Sequence, residues 1–454
     1  MSAELRLVSA SGYLPRHRLE VGVESIGISG AYPGPWSRTV MGHDEDTTTL
    51  GVAAARGLGA LGEPGRLVFC TSRPAYERTS NAAVVHSALR LGRGVPIFDL
   101  VGGEMASAGA IADCGVGGGL AVVADSVVGS PGSAFEATGG AAAAAFLFEE
   151  TTGSGLASLL RSFSVVPRAP VRWRLPGEAA DRSWSPRYAV NELAHLADSI
   201  AEAMNGLRFD AVAVSCWDRR TATSLANRLG GRPITGPGGY PGFSGLADLP
   251  LLILRALGET APGETFAAVT LGEGAAGLIF ERGAVPFTRH DRSTEDLIVP
   301  YTEYLSWRGL VHRDMSGRPD PEPPSLPAVA RNAAWKLGLV AQRCLACGTV
   351  LAPPGLVCIG CGRVDEMTPH PLADRVATVA TFTEDHLAWG FSKPVINAVV
   401  DFEGGGRLEC EVTDASLAEI RIGAPVRMVL RRSHSALGVH NYVWKATPMS
   451  TETV

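Results

Sequence analysis

Four cysteines constrain this chain more than any other feature. Cys344-Leu-Ala-Cys347-Gly348 and Cys358-Ile-Gly-Cys361-Gly362 are two Cys-x-x-Cys knuckles separated by ten residues. Each is followed directly by a glycine, which suits a tight turn whose backbone N–H groups point at sulfur. Four thiolates at this spacing predict a tetrahedral structural Zn2+ site on Cys344, Cys347, Cys358 and Cys361, with no coordination position left open for catalysis. A rubredoxin-like iron and a redox dithiol pair are the competing readings, and nothing else in the sequence favours them. The remaining cysteines, Cys70, Cys114, Cys216 and Cys410, sit among apolar or small residues. That pattern reads as metal site plus buried thiols, not as a disulfide framework.

A length of 454 residues predicts two or three domains with a large buried core. Hydrophobic residues make up 46% and charged residues 19%, and no apolar run reaches membrane-spanning length, so a soluble protein with no membrane partner is expected. Met1 to Leu7 carries Glu4 and Arg6 and leads into strand-like sequence, which reads as no signal or transit peptide and a cytoplasmic location. A net charge of −6 without a basic block argues against nucleic acid as a partner.

Upstream of the knuckles, strand-like and helical runs alternate. Leu5 to Tyr13, Leu67 to Thr71, Leu120 to Ser126 and Ala141 to Phe148 read as strands. A second series follows, with helices at Leu193 to Leu207, Thr221 to Leu229 and Pro250 to Leu257. Its strands are Ala211 to Ser215 and a pair in Thr265 to Phe280 that meets at Gly272-Glu273-Gly274. Two α/β halves of similar element order predict a layered, duplicated fold. Between Phe98 and Ile111 an apolar run turns at Gly102-Gly103 into a helix of small residues. Such an elbow sets its turn residue at a helix N-terminus, where a thiolate would be favoured. The residue there is Glu104, and alone it reads as a cap, since a carboxylate is a poor nucleophile for thioester chemistry. Asp44-Glu45-Asp46-Thr47 reads in the same way, as acids favourable at the start of an alanine-rich helix.

Residues 5 to about 281 resemble the thiolase superfamily, in the branch of archaeal-type 3-hydroxy-3-methylglutaryl-CoA synthase and ketoacyl-carrier-protein synthase III. The resemblance is carried by Gly12-Tyr13-Leu14-Pro15-Arg16, Gly42-His43-Asp44-Glu45-Asp46-Thr47, Gly132-Ser133-Ala134-Phe135-Glu136, Gly139-Gly140-Ala141-Ala142 and Gly272-Glu273-Gly274-Ala275. It implies a five-layer αβαβα fold, a two-fold dimer, and a tunnel for the pantetheine arm of an acyl-CoA or acyl carrier protein. It also implies four catalytic positions, and all four differ here. The family cysteine falls on Glu104, the histidine on Ser215, the asparagine on Phe243 and the synthase glutamate on Thr71. Without imidazole and amide, the donors that steady an enolate oxyanion are missing as well as the nucleophile. Cys216 is a shifted-nucleophile candidate, but a cysteine at a strand end beside Trp217 reads more readily as buried packing. Cys114 is a weaker candidate still, and His43 is the nearest alternative base.

Toward the C-terminus, Tyr301, Tyr304, Leu305 and Trp307 suit a short docking helix, Arg318 to Pro324 an extended proline-rich connector, and Ala328 to Leu337 one more helix. Beyond the knuckles, Arg375 to Thr383, Val395 to Phe402, Arg407 to Val412, Pro425 to Leu430 and Tyr442-Val443-Trp444 read as the five strands of an OB barrel. Ribbon and barrel together resemble the acyl-CoA-associated zinc-ribbon/OB family, whose members accompany thiolases or thiolase-like aldolases. Arg431 and Arg432 admit two readings, contact with a CoA phosphate or plain solvation.

The expected organisation is an N-terminal thiolase-like half (1–166), a C-terminal half (167–284), a Pro-rich linker (285–335), a zinc ribbon (336–370) and an OB domain (371–454). The function these resemblances imply is a thiolase-fold protein without condensing chemistry that binds an acyl-CoA or acyl carrier. It would support an active thiolase or ketosynthase, as a homodimer or in a heteromer, with coenzyme A as a candidate ligand. The rival reading is an enzyme for acyl transfer, decarboxylation or aldol/Claisen chemistry that uses Glu104 in place of the cysteine.

Overall fold

Gly119–Ser126 and Ala141–Thr151 are buried along nearly their whole length, which strands of this Ala/Val/Phe composition achieve inside a sheet covered on both faces. The computed structural model describes residues 3–21, 36–236, 242–288, 296–312, 321–388, 391 and 394–449. The passage 22–35 and the connector positions Arg318 to Asp320 lie outside them.

Five strands, β1 (Glu4–Tyr13), β2 (Leu67–Thr71), β3 (Ile97–Val101), β4 (Gly119–Ser126) and β5 (Ala141–Thr151), lie in the order β3-β2-β4-β5-β1. Five more, β6 (Ala157–Val165), β7 (Ala211–Ser215), β8 (Arg232–Ile234), β9 (Thr265–Gly272) and β10 (Gly274–Arg282), repeat it as β8-β7-β9-β10-β6. Directions repeat too. The strands β2 and β7 run parallel to both neighbours, and β5 and β10 antiparallel to both. Within the sheet the halves meet at the pair Leu7 with Ala157. Matching order and direction establish the duplication.

Six helices complete the layers: α1 (Thr47–Arg56), α2 (Ala82–Ala88), α3 (Met105–Gly117), α4 (Pro186–Ala203), α5 (Arg219–Leu229) and α6 (Asp248–Glu259). Along β4 the side chains alternate, with Ala121 and Val123 turned to the core that holds α3 and α6 between the sheets. Leu120 and Val122 turn to α1 and α2 on the outer face. In the second half, Leu193, Ile200 and Leu225 of α4 and α5 cover Val212, Ala267 and Ile279. The result is αβαβα. The short helix Tyr301–Trp307 docks through Tyr304 and Leu305 onto Leu19, Val40 and Val299.

Ribbon strands Val340–Cys344, Val350–Leu351 and Met367–Pro371 lead into a five-stranded barrel. Its strands are β11 (Ala377–Asp385), β12 (Val395–Phe402), β13 (Arg407–Glu411), β14 (Pro425–Ala436) and β15 (Val439–Pro448), in the order β13-β12-β11-β14-β15. The barrel core, including Val426, Met428 and Trp444, is continuous with the α1/α2 layer. Arg56 of α1 lies 5.0 Å over the Trp444 ring and donates to Met428 O at 2.5 Å.

Charges seal this junction. Arg431, 1% exposed, meets Asp414 Oδ2 at 2.5 Å and Glu45 Oε1 at 3.1 Å, with Asp44 Oδ1 at 3.7 Å. Lys445 Nζ bridges Asp44 Oδ2 at 3.0 Å and Glu411 Oε2 at 2.5 Å, and Tyr442 Oη donates to Asp46 Oδ2 at 2.9 Å. Burial opposes the Arg431 charge, but Tyr13, Asp414, Glu45 and Asp44 hold its pKa well above the usual range. Both readings of Arg431 are thereby corrected, because it is neither solvated nor free for a phosphate. Of the acidic triplet, Asp46 alone caps α1, by accepting from Thr49 N–H at 3.0 Å.

Arg431→Met leaves Asp44, Glu45 and Asp414 facing one another in a dry junction. The expected loss is about 3–5 kcal/mol in denaturant unfolding. Arg363→Met, at an exposed pair with Glu366, should change stability by less than about 0.5 kcal/mol.

Candidate functional site

The elbow stands as the sequence predicts: β3 ends at Val101 and α3 begins at Met105. Glu104 occupies the N-cap position, yet its side chain makes no capping bond. The capping role is therefore corrected. One carboxylate oxygen is instead paired with the Arg172 guanidinium, and the other accepts from Glu273 N–H at 3.0 Å. Glu104 is 1% exposed.

Arg172 comes from a short hairpin, Arg172–Trp173 paired with Arg182–Ser183, in the connection between β6 and α4. Its guanidinium lies 5.1 Å over the Phe135 ring and 5.7 Å over the Phe243 ring, with Asp181 Oδ2 at 3.9 Å. Burial opposes the charge, but Glu104, Asp181, Asp125 and Glu273 together hold its pKa above the ordinary value. Asp181 also takes Arg73 at 2.8 Å and Arg174 at 3.3 Å. Glu273 Oε1 accepts from the Arg172 backbone N–H at 2.6 Å, and burial pushes the Glu273 carboxyl up to about 7. An unpaired buried carboxylate would be costly, and here the arginine supplies both the charge and the donors that offset it.

Two of the four family-derived positions thus meet at Arg172, Glu104 through an ion pair and Phe243 through its ring face. Phe243 is buried with Val127 and Phe135. Ser215 ends β7 fully buried, and its Oγ has no hydrogen-bond partner among the described residues. Thr71 ends β2 and accepts from Arg73 N–H at 3.1 Å. Neither is hydrogen-bonded to Glu104. Cys216 is buried, and desolvation drives its thiol pKa far up. The Cys114 thiol is pushed up to about 12 by burial. Neither is poised as a thiolate. None of Arg172, Asp181 and Glu273 was read from the sequence as a site residue. The available signal was the arginine-rich stretch holding Arg168, Arg172, Arg174 and Arg182.

In the ribbon all four cysteine Sγ atoms lie within 4.8 Å of one another. Cys344 to Cys361 spans 3.7 Å and Cys347 to Cys358 spans 3.5 Å, close to the roughly 3.8 Å edge of a tetrahedron with Zn–S bonds of about 2.3 Å. Gly348 and Gly362 have φ of 77° and 74°, and their N–H groups close the knuckles onto Cys344 O and Cys358 O at 2.9 Å each. Cys358 Sγ accepts from Gly360 N–H at 3.3 Å. The donor set fits a structural zinc.

The family model for the rubredoxin-like zinc ribbon domain of ChsH2 matches residues 334–368, and that for the C-terminal OB-fold domain of ChsH2 matches residues 370–431. A DUF35 domain-containing scaffold protein of Methanocaldococcus jannaschii is 31% identical over 116 residues, covering 24% of this chain and 82% of its own. In fold the chain is similar to MvaS in complex with 3-hydroxy-3-methylglutaryl coenzyme A, with 16% identity, a TM-score of 0.54, and coverage of 72% of this chain and 95% of that one. It is also similar to 3-oxoacyl-(acyl carrier protein) synthase III of Pseudomonas aeruginosa PAO1, with 17% identity, a TM-score of 0.51, and coverage of 65% and 99%. The large body is a thiolase-like α/β fold fused to a zinc ribbon and an OB barrel. Among the described residues no helix is long and apolar enough to cross a membrane.

Arg172→Met should destabilise by about 3–5 kcal/mol by stranding Glu104, while Arg172→Met combined with Glu104→Met recovers much of that loss in denaturant unfolding. The purified chain should carry one zinc per molecule by elemental analysis. Cys347→Ser should abolish that metal and open the ribbon to proteolysis, leaving the circular dichroism of the α/β body in place.

Proposed function

The chain belongs to the DUF35-domain family, and from that premise we propose that it is a non-catalytic partner in acyl-thioester metabolism. In this reading it is a thiolase-fold body, rigidly joined to a zinc-ribbon/OB module, that binds an acyl-CoA or acyl carrier and supports an active thiolase or ketosynthase. Neutral scaffolding suits a chain whose relative in M. jannaschii is described as a scaffold protein. Acyl-CoA or acyl-carrier association is supported by the fold shared with MvaS and with the carrier-protein synthase.

One observation carries the non-catalytic part. The position expected to attack a thioester holds a carboxylate whose two oxygens are engaged by Arg172 and Glu273 N–H. A thioester carbon would have to displace a buried guanidinium to reach it, and neither Ser215 nor Phe243 offers the imidazole or amide needed to steady an oxyanion. A candidate partner surface is the open edge strand β3, where Phe98 and Val101 are more than half exposed. An edge of this kind suits antiparallel pairing with a second thiolase-fold chain, of its own sequence or an active sister.

Incubation with acetyl-, acetoacetyl- and malonyl-CoA should give no turnover and no acyl adduct by intact mass. Affinity capture from the native host should recover a cysteine-bearing thiolase or ketosynthase. Turnover at an enzyme-like rate, lost in Glu104→Ala with stability retained, would establish the catalytic alternative instead.

A further inference from the structure

The OB barrel is open along one seam. Its edge strands β13 and β15 meet at a single parallel bridge, Val412 with Ala446, where Thr413 N–H donates to Ala446 O at 2.8 Å. One step back along that register, Glu411 and Lys445 are joined by side chains at 2.5 Å. Further back, the residues that would continue the pairing line a cleft of about 810 Å³. On one side these are 408–411 of β13, and on the other Asn441, Val443, Trp444 and Lys445 of β15. Each strand is laddered on its other side, β13 to β12 and β15 to β14. Strand geometry therefore leaves alternate N–H and C=O groups of both edges directed at the cleft. Trp335 and Lys336, ahead of the ribbon, and Pro353-Pro354, between its knuckles, supply further walls.

We propose that this cleft receives an extended peptide segment of a partner protein, which enters as an added strand between β13 and β15 and completes the barrel. Two strand edges facing one space can both be satisfied by a single extended backbone. A pantetheine arm carries too few amides to do so along both. A nucleic-acid backbone would meet the carboxylates of Glu409 and Glu411. Side chains of an inserted strand alternate between faces, so one set would lie against Trp335 and Trp444. An acidic residue of the peptide would reach Lys336, whose Nζ donates to the neutral Asn441 Oδ1 at 2.7 Å and whose charge burial disfavours. An opposite charge there restores what desolvation removes. This site is separate from the pocket around Arg172 and holds whether or not the non-catalytic reading does.

The test starts from a display library of short random peptides selected on the full zinc-loaded chain. An enriched peptide is then titrated into the wild type, Lys336→Glu and Trp335→Ala, with hydrogen exchange followed on the complex. The expected result is enrichment of sequences bearing an acidic residue and roughly tenfold weaker binding to Lys336→Glu. Slowed exchange should be confined to backbone amides of 408–411 and 441–445, and backbone N-methylation of the peptide should abolish binding. The proposal is overturned by a failure to enrich any peptide, by binding to both variants as tight as to the wild type, or by retained binding after N-methylation. Protection of the same amides by coenzyme A or pantetheine also overturns it, since the occupant would then be a thioester arm.

Discussion

Arg431 is a fully buried cation shared by three carboxylates on two modules, and the architecture follows from it. Burying that guanidinium is unfavourable unless Asp44, Glu45 and Asp414 stay within reach. The barrel that carries Arg431 and Asp414 is thereby held against the loop that carries Asp44 and Glu45. Lys445 and Tyr442 add two further ties to the same loop. Hydrophobic contact alone would permit sliding, whereas charges with fixed partners set one register. The apolar core runs without a break from the first sheet through α1 and α2 into the barrel.

A second buried arginine does comparable work in the thiolase-like body. Arg172 fills the space in front of the elbow, neutralises Glu104, and stacks on the aromatic ring that stands where an asparagine is expected. The hairpin from the β6–α4 connection brings a set of ion pairs to the elbow. Glu273, at the β9–β10 turn, completes the set by binding the Arg172 backbone and donating its own N–H to Glu104.

Much of this was legible in the residues. The zinc ribbon was fixed by cysteine spacing, which is local and leaves little freedom. The alternation of β4 and β5 with helices was strong because those strands are buried on both faces. By contrast β6 passed unseen, since half of its side chains face solvent and its run Arg161-Ser162-Phe163-Ser164 has no clean apolar face. The resemblance pointed to Glu104, Ser215, Phe243 and Thr71, but not to Arg172, which pairs with the first and faces the third. Arg172 lies far in sequence from Glu104, and ion pairing across such a separation leaves no periodic trace. Asp44-Glu45-Asp46 was misread for the same reason. A helix start explains Asp46, while the partners of Asp44 and Glu45 lie in the last strands of the chain.

In the proposed non-catalytic role the guanidinium of Arg172, and not a thioester, occupies the space in front of Glu104. A crystal structure of the chain grown with excess acetoacetyl-CoA tests it most directly. The expected map shows Arg172 still paired with Glu104 and facing Phe243, with no ligand density between the elbow and that ring. A thioester carbonyl seated there, within bonding reach of Glu104 and with Arg172 swung aside, would contradict it.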